Sequence, residues 1–325
     1  MARLALLLFL LLQFASSGEA QPVRPRTVRT LPETIMHDGV KRSFLLHVPR
    51  SYEQQQFVPL VLALHGDTSS AREMEELTRL NPLSAREGFI VVYPEGVSRG
   101  WNDGLSEQRS RGRRGAVDDV GFIAQIVAVL SSSYRVDPRR VYVVGYDEGA
   151  MMGFRAACEL PGLFAAVASV MGTMPREVFQ HCTPSEPLSV LLINGAEDRV
   201  IPLEDRDRIR FRLPSLASVE QTARFWADAN GCAPLPRFKT RMDLDVRRSG
   251  FAREAIYPQC RSNTQVMIFA LHGSGHGWPS ATLTPLMGFA AQQVLGVSLQ
   301  GQSVSDLVWR FLSRQQREAT GAYGR

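Results

Sequence analysis

The chain has 325 residues, 44% hydrophobic and 21% charged. That is enough apolar material for a sizeable core, and it excludes a disordered or collagen-like polypeptide. The net charge of +5 is spread along the chain apart from Arg109 to Arg114, so no nucleic-acid stripe is expected. Lys41 and Lys239 are the only lysines, which argues against Schiff-base chemistry.

Arg3, the apolar run Leu4 to Leu12 and the small-residue stretch Gly18-Glu19-Ala20 have the layout of a secretory signal peptide over residues 1–20. The alternative is an uncleaved anchor. No later run is long and apolar enough to span a bilayer, so the expected product is exported (extracellular or periplasmic) and not membrane-bound. Residues 21–34 read as a loose Pro- and Arg-rich leader, 35–315 as one domain and 316–325 as a tail. Val40 to Val48 predicts a first strand. Pro59 to Leu64 is a fully apolar run ending in His65-Gly66, the pattern of a buried parallel strand. Ala71 to Glu87 has helical character interrupted near Asn81-Pro82, and Phe89 to Tyr93 is the next buried strand. A polar loop from Gly96 to Val117 carries Trp101, and Asp118 opens an amphipathic helix through Phe122, Ile126 and Leu130.

The strand Val141 to Val144 then runs into Gly145-Tyr146-Asp147-Glu148-Gly149 and a helix reaching about Leu160. Further strands are expected at Phe164 to Val170, Leu188 to Ile193 and Val266 to Leu271. Helices are expected at Ser218 to Asn230, Leu283 to Val294 and Ser305 to Arg314. No internal repeat is present. Strands alternating with helices predict an α/β fold, a mostly parallel sheet with helices on both faces. Ligands of such sheets bind beyond the carboxyl ends of the strands.

The residues able to do chemistry fall at those ends. Gly145 to Gly149 has the form of a nucleophile elbow, G-x-Nu-x-G, with Asp147 in the central position. Asp198 follows one later strand and His276 another, so the order is elbow, acid, histidine. His276 would serve as general base, with Asp198 fixing its tautomer. Glu197 is the rival acid, and His65, His181 and His272 are rival bases. The backbone N–H of Glu148 and one from Asp67 or Thr68 would form an oxyanion hole. Trp101 and Trp278 are candidates to line a substrate cleft or to pack beneath surface loops. Cys158, Cys182, Cys232 and Cys260 suit an oxidising compartment. Four cysteines allow three pairings, and proximity favours Cys158–Cys182 and Cys232–Cys260. No ligand spacing calls for a metal or cofactor.

A longer series of segments is more specific. Leu64-His65-Gly66, Tyr93-Pro94-Glu95-Gly96 with Trp101-Asn102, Val117-Asp118-Asp119-Val120-Gly121-Phe122-Ile123 and Val136-Asp137-Pro138-Arg139-Arg140-Val141-Tyr142-Val143 come first. Gly149-Ala150-Met151-Met152, Cys158-Glu159-Leu160-Pro161, Asn230-Gly231-Cys232 and Gly275-His276-Gly277-Trp278-Pro279 follow. Over roughly residues 35 to 312 this series resembles the secreted polyhydroxybutyrate depolymerase and feruloyl esterase family. The resemblance implies an α/β-hydrolase fold, carboxylic ester hydrolase ancestry, a small-molecule or polymeric ester substrate, and a triad at positions 147, 198 and 276. The family's elbow usually reads G-x-S-x-G, often with Asn after the serine, and a cysteine commonly follows its His-Gly. Here those positions hold Asp147, Glu148 and Asp67.

Three functions are compatible with an aspartate elbow. One is a hydrolase with Asp147 as nucleophile or water-orienting base. Another is displacement at saturated carbon, in an epoxide or alkyl halide, through an alkyl ester on Asp147. The third is a non-catalytic binding protein on a retired esterase scaffold, favoured by the crowding of Asp67, Asp147 and Glu148.

Overall fold

The computed structural model describes residues 30–105, 117–210, 213–246, 250–279 and 303–318. The predicted signal peptide, most of the leader, part of the 96–117 loop, the predicted helix Leu283 to Val294 and the end of the tail lie outside the described residues.

The strands are β1 Leu31–His37, β2 Val40–His47, β3 Val58–Leu64, β4 Ile90–Pro94, β5 Val136–Tyr146, β6 Ala166–Val170, β7 Ser189–Gly195, β8 Arg237–Val246, β9 Gly250–Tyr257 and β10 Val266–Leu271. The helices are α1 Ala71–Thr78, α2 Leu80–Glu87, α3 Asp119–Ser133, α4 Glu148–Glu159, α5 Arg176–His181, α6 Asp205–Arg210, α7 Val219–Ala229 and α8 Val304–Leu312. All ten strands join one sheet in the order β1-β2-β4-β3-β5-β6-β7-β10-β9-β8. The central run from β4 to β10 is parallel, and antiparallel pairs close both ends.

The central strands are apolar because both faces are covered. Phe122, Ile126, Met152, Phe154 and Trp226, from α3, α4 and α7, belong to the core on one face. Met74, Leu80, Leu83, Val308 and Trp309, from α1, α2 and α8, pack on the other. Trp309 stacks on Phe89 with ring centroids 4.0 Å apart. Disulfides join Cys158 to Cys182 and Cys232 to Cys260.

The structure departs from the sequence reading at the sheet edges. β1 begins at Leu31, inside the stretch read as leader, and turns into β2 through Asp38 and Gly39, both with positive φ. Asp-Gly at a two-residue turn is a hairpin signal. β8 and β9, an antiparallel pair rich in charged residues, add a second extension that apolar patterning did not flag. The helical stretch after β3 breaks at left-handed Arg79, not at Asn81-Pro82. Pro82 is tolerated in the first turn of α2, where backbone N–H groups have no partner within the helix.

Candidate active site

The elbow between β5 and α4 is built by close packing. A Cβ on Gly145 would lie 2.4 Å from the Ala150 backbone, and one on Gly149 would lie 2.2 Å from the Leu64 carbonyl oxygen. Asp147 between them has φ 52° and ψ −119°, a conformation that an L residue rarely adopts. Its N–H donates to the Val170 carbonyl at 3.1 Å, and its own carbonyl accepts the Ala150 N–H at 3.0 Å. The turn therefore holds the side chain above the carboxyl end of the sheet.

Asp198 and His276 arrive from β7 and β10, which are hydrogen-bonded neighbours. Asp198 is buried. Its Oδ1 accepts the N–H groups of Val200 at 2.7 Å and Ile201 at 3.0 Å, leaving Oδ2 to meet His276 Nδ1 at 2.9 Å. His276 Nε2 stands 3.3 Å from Asp147 Oδ1. The three side chains predicted from chain order thus meet in one relay.

The other oxygen of Asp147 is also engaged. Oδ2 accepts the Asp67 N–H at 3.2 Å, and the Glu148 N–H bonds the same carboxylate. These are the two backbone donors read from sequence as an oxyanion hole. Burial pushes the Asp147 carboxyl up, but the hydrogen bond and charge of His276, together with the two N–H groups, outweigh it and hold the carboxyl below the usual aspartate value. For His276, burial opposes the charged ring, while Asp147 and Asp198 raise it to about 10. At neutral pH the site holds an imidazolium between two carboxylates.

The rival residues have other partners. His65 is fully buried, its Nδ1 against the Gly66 carbonyl at 2.8 Å and its Nε2 accepting the Gly96 N–H at 3.0 Å. Glu197 accepts the Gly273 N–H at 2.7 Å, bracing the turn that carries His276. His272 stacks on Phe251, and His181 lies on exposed α5 with Nδ1 against the Glu177 carbonyl. Trp101 is buried and donates to the His65 carbonyl at 2.8 Å; Trp278 is buried edge-on against Tyr146. The Tyr146 hydroxyl donates to the His276 carbonyl at 3.1 Å. Both tryptophans therefore brace the loops of the site.

Two features were not singled out from sequence. Arg42 forms a buried ion pair with Asp119 at 2.6 Å, and the second Asp119 oxygen takes the Asn102 N–H at 2.7 Å. Asp103, the residue after Asn102, is buried, with its carboxyl pushed up to about 7, chiefly by burial and further by Asp147. Its place directly after Trp101-Asn102 was the available signal. A separate cavity of about 300 Å³, lined among others by Glu220, Arg224, Phe238, Tyr257 and His272, contains none of the three relay residues. Among the described residues no group of three His, Cys, Asp or Glu could hold a metal ion, and no helix is long and apolar enough to cross a membrane.

Residues 42–189 match the family described as esterase PHB depolymerase. The chain is 32% identical over 273 residues to a putative esterase, NocK, of Nocardia uniformis subsp. tsuyamanensis, covering 81% of this chain and 78% of that protein. It is 24% identical to feruloyl esterase B of Piromyces equi, covering 72% of this chain and 42% of that longer protein. Among solved structures, an acetyl xylan esterase from Aspergillus awamori superposes with a TM-score of 0.59 at 16% identity, covering 87% of this chain and 99% of that one, a likeness of fold.

Proposed function

We propose that this chain, which belongs to the esterase PHB depolymerase family, is an exported hydrolase of small or polymeric carboxylic esters working through Asp147, His276 and Asp198. The observation that carries the reading is the continuous relay of Asp198 Oδ2, His276 and Asp147 Oδ1, with links of 2.9 and 3.3 Å. Two disulfides accord with export to an oxidising compartment.

In this reading Asp147 orients a water and takes its proton as the water oxygen attacks the ester carbonyl. A direct attack by the carboxylate would leave a mixed anhydride, a high-energy product. His276, cationic at neutral pH, gives its proton to the departing alkoxide and recovers one from Asp147. Asp198 keeps Nδ1 protonated and the ring in place. The Asp67 and Glu148 N–H groups receive the developing oxyanion once the Asp147 carboxylate yields them.

Turnover of short-chain 4-nitrophenyl esters by the purified protein tests this, with His276→Ala and Asp147→Ser measured alongside. His276→Ala should lose about 10²- to 10⁴-fold, the usual worth of a positioned acid or base. Unchanged turnover in that variant overturns the reading. Turnover by Asp147→Ser alone would mean an intact esterase scaffold whose own elbow residue has silenced it.

One observation favours a second reading. Because Asp147 Oδ2 already accepts the Asp67 N–H, Oδ1 is the oxygen turned toward His276. That suits displacement at a saturated carbon of an epoxide or alkyl halide, in which Oδ1 forms an alkyl ester as the carbon–oxygen or carbon–halogen bond breaks, and the His276 proton passes to the epoxide oxygen or leaves to solvent with the halide. The ester carries no charge, so His276 loses the partner that held its proton and becomes a base for the hydrolytic water. Water then attacks the Asp147 carbonyl carbon with its oxyanion already on the donors. A single turnover in ¹⁸O-labelled water separates the two. Label in the Asp147 carboxylate marks the alkyl ester, and label confined to product marks direct attack by water.

A further inference from the structure

The cavity of about 300 Å³ that excludes the relay is a product of strand pairing. Its floor is one face of the sheet extension. Arg253, Ala255 and Tyr257 alternate along β9, Ala270 and Ile268 of β10 pair with the first two, and Phe238 of β8 lies across from Ala255. Its other wall is the start of α7, which contributes Glu220, Gln221 and Arg224, together with the segment Leu203 to Asp205. Small residues at 255 and 270 leave space that larger apolar side chains would fill. The volume falls at the lower end of the range of small-molecule sites, about 300–1,000 Å³.

Several polar groups of this lining have no partner. Tyr257 is only 7% exposed, yet its hydroxyl makes no hydrogen bond among the described residues, whereas a buried tyrosine hydroxyl usually finds one. Burial, and then the charge of Glu220, push it above the ordinary tyrosine value, so it keeps a proton to donate. The His272 ring stacks on Phe251, and its nitrogens make no hydrogen bond among the described residues. The charges of the lining cancel. Glu204 is held by Arg206 at 2.5 Å, and Asp205 and Glu220 are balanced by Arg224 and Arg253. A charged ligand would therefore meet no excess of the opposite sign. An apolar floor of Ala255, Ile268 and Ala270, ringed by hydroxyl, carboxylate and guanidinium groups, suits a molecule with a C–H face and a rim of hydroxyls.

We propose that the cavity between α7 and the β8–β9–β10 face is a binding site for a neutral saccharide unit, free or within a chain. The Tyr257 hydroxyl and the Arg253 guanidinium donate to its hydroxyls, Glu220 accepts from them, and its C–H face lies on Ala255 and Ala270. The site is separate from the relay, although His272 opens the loop that ends in His276 and Leu203 follows the loop that holds Asp198. Saccharide binding here goes beyond the hydrolase reading and does not require turnover.

The test is calorimetric titration of the full protein with glucose, xylose, cellotetraose and xylotetraose, beside the anionic tetragalacturonate and the cationic glucosamine tetramer. At least one neutral saccharide should bind, and more tightly than either charged one. Tetramers binding above monosaccharides place a chain in the cavity and equal affinities place a single sugar; both uphold the site. Tyr257→Phe removes one oxygen and should weaken binding about three- to tenfold, the worth of one hydrogen bond. Ala255→Leu extends into the open volume and should abolish binding without lowering the melting temperature. If it does lower it, Tyr257→Phe decides alone. His276→Ala should bind as the unmodified protein does. No neutral saccharide bound, charged ones preferred, unchanged affinity in Tyr257→Phe, or loss of binding in His276→Ala, which would put the sugar at the relay, each overturns the proposal. Absent ester turnover with this binding pattern intact overturns the hydrolase reading and leaves the saccharide site standing.

Discussion

His276 Nε2 lies 3.3 Å from Asp147 Oδ1 while its Nδ1 lies 2.9 Å from Asp198, so one imidazolium is clamped between two carboxylates. The folded ring titrates near 10, against 6.5 for an unperturbed histidine. The stability it contributes is fully present below 6.5 and is lost as pH rises through about 10. Asp147 is shifted the other way: its contribution is present above the ordinary aspartate value of 3.8 and fades as pH falls through its depressed value. The pair therefore stabilises the middle of the pH range. Unfolding in urea should show stability falling on the alkaline side, and His276→Gln should abolish that fall. An equal slope in the variant would mean that the clamp contributes nothing.

Asp198→Asn tests the positioning end of the relay. The amide oxygen of the variant can still accept the Val200 and Ile201 N–H groups, so the loop should keep its shape. Its N–H₂ would then face His276 Nδ1, which must give up its proton to accept that bond. Ester turnover should drop by about 10³- to 10⁴-fold, with the melting temperature moved far less than activity. Near-normal turnover would assign the tautomer to something other than Asp198.

Arg42 and Asp119 carry a different prediction. Both side chains are almost wholly buried, and the guanidinium also lies over the Phe122 ring at 3.9 Å. Removing one partner leaves an uncompensated buried charge, at about 3–5 kcal/mol. Asp119→Ala should therefore lower stability by that amount in urea denaturation. The double variant Arg42→Met with Asp119→Leu should cost less than Asp119→Ala alone, since it leaves no orphan charge. Additive losses would place the energy in packing and not in charge.

The centre of this fold was legible in the sequence because both of its signals are strong. Leu60 to Leu64 and Val141 to Val144 are buried on both faces, so their apolar runs announce parallel strands. The elbow announces itself because no Cβ fits at Gly145 or Gly149. Chain order then brought Asp147, Asp198 and His276 to one end of the sheet. The edges were less legible. β8 carries charged residues along much of its length, so a periodicity search passes over it. β1 shows a regular alternation of half-buried and exposed residues, with Pro32 and a preceding Arg- and Pro-rich stretch to disguise it. The Asp147 carboxylate's place on the two backbone donors is a matter of ångströms, and no spacing rule encodes it.

Gly149 supplies the sharpest test of how the site is held. A Cβ there would meet the carbonyl oxygens of Leu64 at 2.2 Å and His65 at 2.4 Å. Both obstacles are backbone of β3 and its exit, on the strand that delivers the Asp67 donor, so neither can rotate aside. Gly149→Ala should force α4 away from β3, cost about 1–3 kcal/mol or more, and separate Asp147 Oδ2 from the Asp67 N–H. Gly39→Ala is the control. It has open space around it, and its positive φ of 73° is the sole obstacle, so it should cost about 1 kcal/mol and leave the site intact. Urea denaturation gives the two costs, and the His276 proton resonance, followed by NMR through its titration, reports the site. Gly149→Ala should move the His276 titration toward lower pH as Asp147 is displaced, and Gly39→Ala should not. Equal behaviour of the two variants would show that close packing at the elbow does not hold the carboxylate in place.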